Sequence, residues 1–212
     1  MTERGILMTP ENYGKTEAGT KWMTRRIITP QPYGEPRPLI EWSRGIAAAC
    51  HDYCPDQTQL IEHAERLRGK IFPFTTKDGG LMSPKCPFGT VGDRLYVKEA
   101  VEESFDGAIQ YRRDKVLVPM SNWAWKVKVL SGRFMPKGLA RLWLEVMEVR
   151  VERLQEITNE DAKAEGILNW GEREHYKVAR DGFRQLWFSI HGPGSWENNP
   201  FVWVITFRKG KP

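Results

Sequence analysis

Leu142-Trp143-Leu144-Glu145-Val146-Met147-Glu148-Val149-Arg150-Val151-Glu152-Arg153-Leu154 reads as one long strand. Its second half alternates apolar and charged residues with period 2, as a strand with one buried face does. Asp93-Arg94-Leu95-Tyr96-Val97-Lys98-Glu99-Ala100-Val101 shows the same alternation, and Pro200-Phe201-Val202-Trp203-Val204-Ile205-Thr206-Phe207-Arg208 closes the chain as a final strand. Short strands are expected at Ile6-Leu7-Met8 and Ala108-Ile109-Gln110-Tyr111, and an extended stretch over Lys21–Ile28, closed by Pro30 and Pro32. Strands outnumber helices and do not alternate with them regularly. That pattern favours an α+β fold with a curled antiparallel sheet over a doubly wound one.

The helices are short. Thr9 before Pro10 reads as an N-cap with an N1 proline, opening a helix to about Ala18, with Gly19 as its C′ glycine. Thr158-Asn159-Glu160-Asp161-Ala162 starts another, ending at Gly166. A third runs from about Tyr176 to Ile190, with Phe183, Leu186, Trp187 and Ile190 on one stripe. Residues 33–90 are the least regular part, with a helix expected from about Thr58 to Arg68. The segment at about 33–85 holds too few apolar residues for its own core, so the chain reads as a single domain, 1–212, carrying one insertion.

Composition narrows the function classes. The chain has 212 residues, 40% hydrophobic and 28% charged, with a formal net charge of +5, which permits a polyanionic partner without requiring one. No run approaches the roughly 18 apolar residues needed to span a bilayer. The N-terminal residues lack the pattern of a signal peptide, so a cytoplasmic protein with free thiols at Cys50, Cys54 and Cys86 is expected. Those cysteines with His51 and His63 are the weak candidates for a metal, because zinc takes four such ligands. Their spacing matches no standard zinc motif, so neither a metal nor another cofactor is expected.

Two motifs carry chemistry. In Gly19-Thr20-Lys21-Trp22-Met23-Thr24-Arg25-Arg26, Lys21 and Thr24 can meet if the chain is still turning out of the helix at Gly19. A Thr hydroxyl needs a neighbouring base to act as a nucleophile, and a Lys amine serves when burial or nearby cations lower its pKa. Arg25 and Arg26 are such cations and also attract phosphate. The same string equally suits a basic surface stretch. In the second motif, period 2 puts Glu99 in an inward row with Leu95 and Val97, where a carboxylate must be paired or protonated. Lys21 is its expected partner, in a structural ion pair or a catalytic one. Nine tryptophans exceed what is usual. Most belong in the core, Trp203 among them, while Trp22 and Trp196 are candidates for stacking on a base, Trp196 at a cleft rim.

Taken together, these segments resemble the ASCH family of the PUA-like superfamily. Gly19, Lys21, Thr24 and Arg26 fit its G-x-K-x-x-T-x-R pattern, and Gly92-Asp93-Arg94-Leu95-x-Val97-x-Glu99 fits a following strand. Cys86-Pro87-Phe88-Gly89 and Asn199-Pro200-x-Val202-Trp203-Val204 are similar to a branch found in bacteriophage and prophage genomes. The resemblance implies a PUA-like small antiparallel β-barrel with flanking helices and a cleft for nucleic acid or a nucleobase. Small bacterial members hydrolyse the amide of N(4)-acetylcytidine. By that likeness Thr24 would be the nucleophile, Lys21 its base, Glu99 the group orienting Lys21, and Arg26 a residue shaping the cleft or holding phosphate or ribose. Other members are ribonucleases or RNA-binding regulators. Two alternatives therefore stand beside an amidohydrolase. One is a non-catalytic RNA- or DNA-binding module gripping phosphates through Lys21, Arg25, Arg26, Arg112, Arg113, Lys115, Lys126 and Lys128. The other is a phage morphogenesis or host-interaction protein using residues 33–85.

Overall fold

The computed structural model describes residues 1–37, 39, 62, 64–76, 78, 80–119, 125–167 and 179–211. Strand β1 (Glu3–Leu7) leads into helix α1 (Pro10–Glu17), and β2 (Met23–Ile27) follows. Short strands β3 (Phe74–Thr75) and β4 (Leu81–Met82) form a two-stranded ribbon. Next come β5 (Arg94–Lys98), β6 (Val101–Glu103), β7 (Ile109–Tyr111) and β8 (Val129–Leu130), then the long β9 (Trp143–Arg153). Helices α2 (Asn159–Ala164) and α3 (Ala179–His191) precede β10 (Phe201–Gly210).

The main sheet has the order β1-β5-β9-β10-β2. Its centre is the antiparallel pair β9 and β10, in register from Phe201 opposite Arg153 to Gly210 opposite Trp143, with an irregularity at Thr206/Phe207. Alternation on β10 explains why this pair is central. Phe201, Trp203, Ile205 and Phe207 enter one core with Ile6, Leu95, Val97, Leu144 and Val146. Val202 and Val204 enter a second core with Met23, Leu154, Phe183, Trp187 and Trp196. Each face of β10 is thus buried, which only a strand interior to the fold can satisfy. Phe72 and Phe74 pack edge-on against Trp203 and Phe201, with ring centroids 4.9 and 5.1 Å apart. The end of the expected insertion therefore helps fill the main core.

The α+β class matches expectation, and two details of the sheet do not. Pairing of β1 with β5 is parallel, so the sheet is mixed. Among the described residues β1 pairs with β5 and β2 with β10 and no ladder joins β1 to β2, so the row is open where a closed barrel was expected. The reason is local. Thr9 caps α1, its hydroxyl accepting from the Asn12 N–H at 3.2 Å, and Pro10 fixes the first helical turn. The chain leaves the sheet before β1 can reach along β2. A side chain spans the gap instead: Arg26 Nη2 donates to the Leu7 carbonyl at 2.6 Å.

The strand expected at Asp93–Val101 is two strands. It breaks at Glu99–Ala100, and β6 continues into a separate sheet of order β7-β6-β8 over a third small core of Val101, Ile109, Tyr111, Val118 and Met135. Of the helix expected at 58–68, Glu62 and residues 64–67 are helical, Arg68 lies in a turn, and the rest lies outside the described residues, as does the start of the helix expected from Tyr176. No described helix is long and apolar enough to cross a membrane.

Candidate functional site

A cleft of about 300 Å³ lies at the seam between the two sheet edges, with α3 along one side. The end of β1 and start of α1 contribute Leu7, Met8, Thr9 and Asn12, and β2 contributes Thr24, Arg25, Arg26 and Ile27. Phe183, Leu186, Trp187 and Ile190 give α3's wall an apolar character, and His191 stands at the helix end. Lys21 and Glu165 complete the lining.

Lys21 follows the positive-φ Gly19 and is 3% exposed. Its Nζ donates to the Glu165 carbonyl at 2.9 Å and to Glu165 Oε2 at 2.6 Å. Burial holds the amine below its ordinary pKa, with Arg26 and Lys15 adding to the effect against the opposing pull of Glu165. Glu165 is the C-cap of α2, whose N-cap Thr158 accepts from the Asp161 N–H at 3.1 Å. Gly166, at φ +85°, lets the chain pass close to Lys21: a Cβ there would sit 3.2 Å from Lys21 Cβ. Thr24 lies on β2, buried in the same cleft, and no hydrogen bond joins its hydroxyl to Lys21 among the described residues.

Arg25 does not serve as a free phosphate ligand. Its side chain is fully buried, with Nη2 3.1 Å from Glu152 and 2.7 Å from Asp161, and Nη1 3.8 Å from Glu165. Burial raises the Asp161 pKa, and Arg25, Arg150 and the hydrogen bond with Thr158 together more than reverse that, leaving the carboxyl below its usual range. Arg150 extends the network, reaching Asp161 at 3.2 Å and Glu148 at 3.0 Å, and also pairing with Glu152. The result is an alternating chain of charges running from the surface to Glu165 and Lys21. Arg26 is half-buried, and burial lowers its pKa. Burial and then the Arg26 charge lower that of His191, whose ring stacks on Trp187 at 4.1 Å.

Glu99 requires a correction. It is buried, as its place in the apolar row requires, but its partner is Arg141, not Lys21. Arg141 Nε and Nη2 donate to the two carboxylate oxygens at 2.9 and 2.7 Å, a bidentate grip that a lysine cannot match. Arg141 also lies over the Tyr111 ring at 3.7 Å, and Arg113 lies over Tyr13 at 4.4 Å, so this charge cluster is walled off by aromatics. The break between β5 and β6 turns Glu99 toward it and away from the cleft.

The tryptophan expectations change as well. Trp196 is 6% exposed and packs against Phe183, so it is a core residue, and it lines a second pocket along α3 and not the seam cleft. Trp22 is 48% exposed and does not line the cleft. Of the basic stretch, Arg112 and Lys115 pair with Glu102, and Arg113 pairs with Glu17 and Asp114, so much of its charge is already matched. Cys86 is free and buried, and burial pushes its thiol pKa up to about 11. Cys50, Cys54 and His63 lie outside the described residues. Sequence reasoning missed Glu165 and His191. An available signal for Glu165 was the carboxylate directly before the helix-ending Gly166.

No protein-family model matches the chain, and no curated protein matches it. A solved structure, the crystal structure of an ASCH domain from Lactobacillus crispatus, is similar at 10% identity and a TM-score of 0.35, covering 98% of this chain and 79% of that one. A score that low does not establish a shared architecture, so the function of the cleft rests on its own geometry.

Proposed function

We propose that the seam cleft binds a nucleobase and that Lys21 and Thr24 hydrolyse an acyl amide on it, as in an N(4)-acylated cytidine. The observation that supports this is the burial of the Lys21 amine against Glu165 in a cleft that the buried Thr24 also lines. Glu165 takes the part that the sequence pattern gave to Glu99. Transfer of one ammonium proton across the 2.6 Å contact to Glu165 leaves a neutral amine. That amine accepts the Thr24 proton, with the contact tightening once substrate is seated. The Thr24 oxygen bonds to the acyl carbon, the amide C–N bond breaks, and the departing amino group takes the proton from Lys21. Water then cleaves the ester, releasing the carboxylic acid and restoring the hydroxyl. The apolar side chains on α3 form a wall suited to the flat face of a base.

The second reading is binding without hydrolysis, as in a non-catalytic nucleic-acid module. It is favoured by Lys21 Nζ already donating twice to Glu165 and making no bond to Thr24. Incubation with N(4)-acetylcytidine, with cytidine and acetate measured by chromatography, separates the two. Hydrolysis is expected in the wild type and lost in Thr24→Ala, Lys21→Ala and Glu165→Gln. Tight binding with no acetate released refutes the hydrolase and supports the module. Neither binding nor release refutes both. Loss of release in Glu99→Gln with an unchanged melting temperature would return Glu99 to the chemistry.

A further inference from the structure

Four buried polar atoms of the residues lining the seam cleft have no hydrogen-bond partner among the described residues: Arg25 Nε, Arg26 Nε, Glu165 Oε1 and the indole Nε1 of Trp187. The two guanidiniums are served through their other nitrogens. Arg25 donates through both Nη atoms, and Arg26 donates to the Leu7 carbonyl. Trp187 is different. Nε1 is the single polar atom of its indole, so the whole hydrogen-bonding capacity of this side chain is unmet, and the residue is 3% exposed. Glu165 Oε1 is an acceptor in the same position. Lys21 holds only Oε2, and Arg25 Nη1 lies 3.8 Å from Oε1, too far for a hydrogen bond. A buried donor or acceptor left unmet costs free energy, and few persist in folded proteins without water or a ligand to meet them.

The cleft thus carries one unmet donor on α3 and one unmet acceptor at the C-cap of α2. An amide presents the complement, a carbonyl oxygen beside an N–H. We propose that Trp187 Nε1 and Glu165 Oε1 recognise the scissile amide, the indole N–H donating to the acyl oxygen and the carboxylate accepting from the amide N–H. The assignment rests on the hydrolase reading of the cleft and adds a group which that reading lacks. When the Thr24 oxygen adds to the acyl carbon, the carbonyl electron pair moves onto the acyl oxygen. A fixed donor shielded from water stabilises that charge. The amide nitrogen, held on Oε1, then stands by the carboxylate whose Oε2 carries the Lys21 amine, the source of the proton it needs on leaving. The pair also sets specificity: an amide is taken over the corresponding ester, which has no N–H for Glu165.

Nuclear magnetic resonance of the full chain tests the pairing on a bare amide. The Trp187 indole is assigned through its contacts with His191 and Phe183, whose ring centroids lie 4.1 and 5.9 Å away. N-methylacetamide is expected to shift the indole N–H resonance. N,N-dimethylacetamide, which has no N–H, is expected to need about tenfold more for the same shift. Equal response to the two overturns the part given to Glu165, and no response to either overturns the proposal. Trp187→Phe keeps an aromatic ring and removes the N–H. Its kcat on N(4)-acetylcytidine is expected to fall about hundredfold with KM little changed and no loss of melting temperature. A kcat within roughly twofold of wild type refutes the stabilising role of the indole. If Trp187→Phe does not fold, or loses melting temperature along with rate, the wild-type titrations decide alone. The two readings fail separately. A wild type whose indole responds to N-methylacetamide but which releases no acetate keeps the amide pair and refutes the hydrolase. Acetate release with an indole silent to both amides keeps the hydrolase and refutes the pair.

Discussion

Replacing Glu165 by Gln keeps the shape of the side chain and removes its charge. The partners are 3% and 5% exposed, so little water is available to take over the solvation of Lys21. Breaking a buried ion pair by deleting one member costs about 3–5 kcal/mol, because the remaining charge stays buried. For a chain of this length each kcal/mol lowers the melting temperature by roughly 2–4 °C, so a fall of roughly 6–20 °C is expected at neutral pH. The pH dependence carries a sign. The folded Lys21 amine already titrates below its ordinary value, so between the folded and unfolded values the unfolded chain holds more protons, and stability rises with pH across that window. In Glu165→Gln the folded value drops further. The deficit against wild type should therefore shrink as pH rises toward the ordinary lysine value and the buried amine loses its proton in both proteins. Circular-dichroism melts from about pH 6 to pH 10 measure this. The double variant Lys21→Met/Glu165→Leu removes both charges and should recover most of the loss. A Glu165→Gln melting temperature within about 2 °C of wild type at pH 7 would show that Lys21 has other solvation, and the site would need rebuilding.

Two further outcomes follow from the same cleft. Arg25→Met strips the counter-charge from Asp161 and Glu152 and should cost about 3–5 kcal/mol by denaturant titration at pH 7. Asp161 is held below its ordinary pKa, so its contribution is present above about pH 4 and is lost as pH falls through the folded value. The Arg25→Met deficit should accordingly narrow in acid, and a deficit that is constant with pH would count against the pairing. Gly166→Ala places a Cβ at φ +85° and 3.2 Å from Lys21 Cβ. A loss of about 1–2 kcal/mol is expected from the left-handed backbone alone. Ligand affinity in the cleft should also weaken, because Lys21 must shift, and unchanged stability with unchanged affinity would refute the tight approach.

Much of the strand content was legible because local alternation dictates it. The long strand expected at Leu142–Leu154 is β9 at Trp143–Arg153, and the last strand matches β10. The start of α1 was legible too, since Thr9 and Pro10 act on their own backbone. Partner choice between segments distant in sequence was not. Period 2 correctly buried Glu99, yet nothing local says whether an inward carboxylate meets a lysine or an arginine. Arg141 wins because it sits where the chain leads into β9, within reach of both carboxylate oxygens, and stacks on Tyr111 as it does so. Lys21 in turn meets Glu165, more than 140 residues away, through the short helix α2 and the left-handed turn after it. Trp196 misled for a related reason: an Asn-Pro turn nearby suggested a rim, whereas Phe183 across the fold packs it into the core.

The open seam explains why chemistry-bearing residues gather there. A β-sheet edge carries unpaired N–H and C=O groups, and proteins usually close or cover it. Here the gap between β1 and β2 is bridged by one side-chain bond, from Arg26 to Leu7, and flanked by α3. Had β1 paired with β2, backbone ladder bonds would occupy the space that the cleft now holds, and Thr24 and Arg26 would have no solvent-accessible neighbour to act on. Leaving the ladder unmade keeps edge backbone groups, Thr24 and Arg26 of β2 and the buried Lys21 amine just before that strand around one cleft. On the proposed reading, these hydrogen-bonding groups would meet the polar edge of a base lying against the apolar wall of α3.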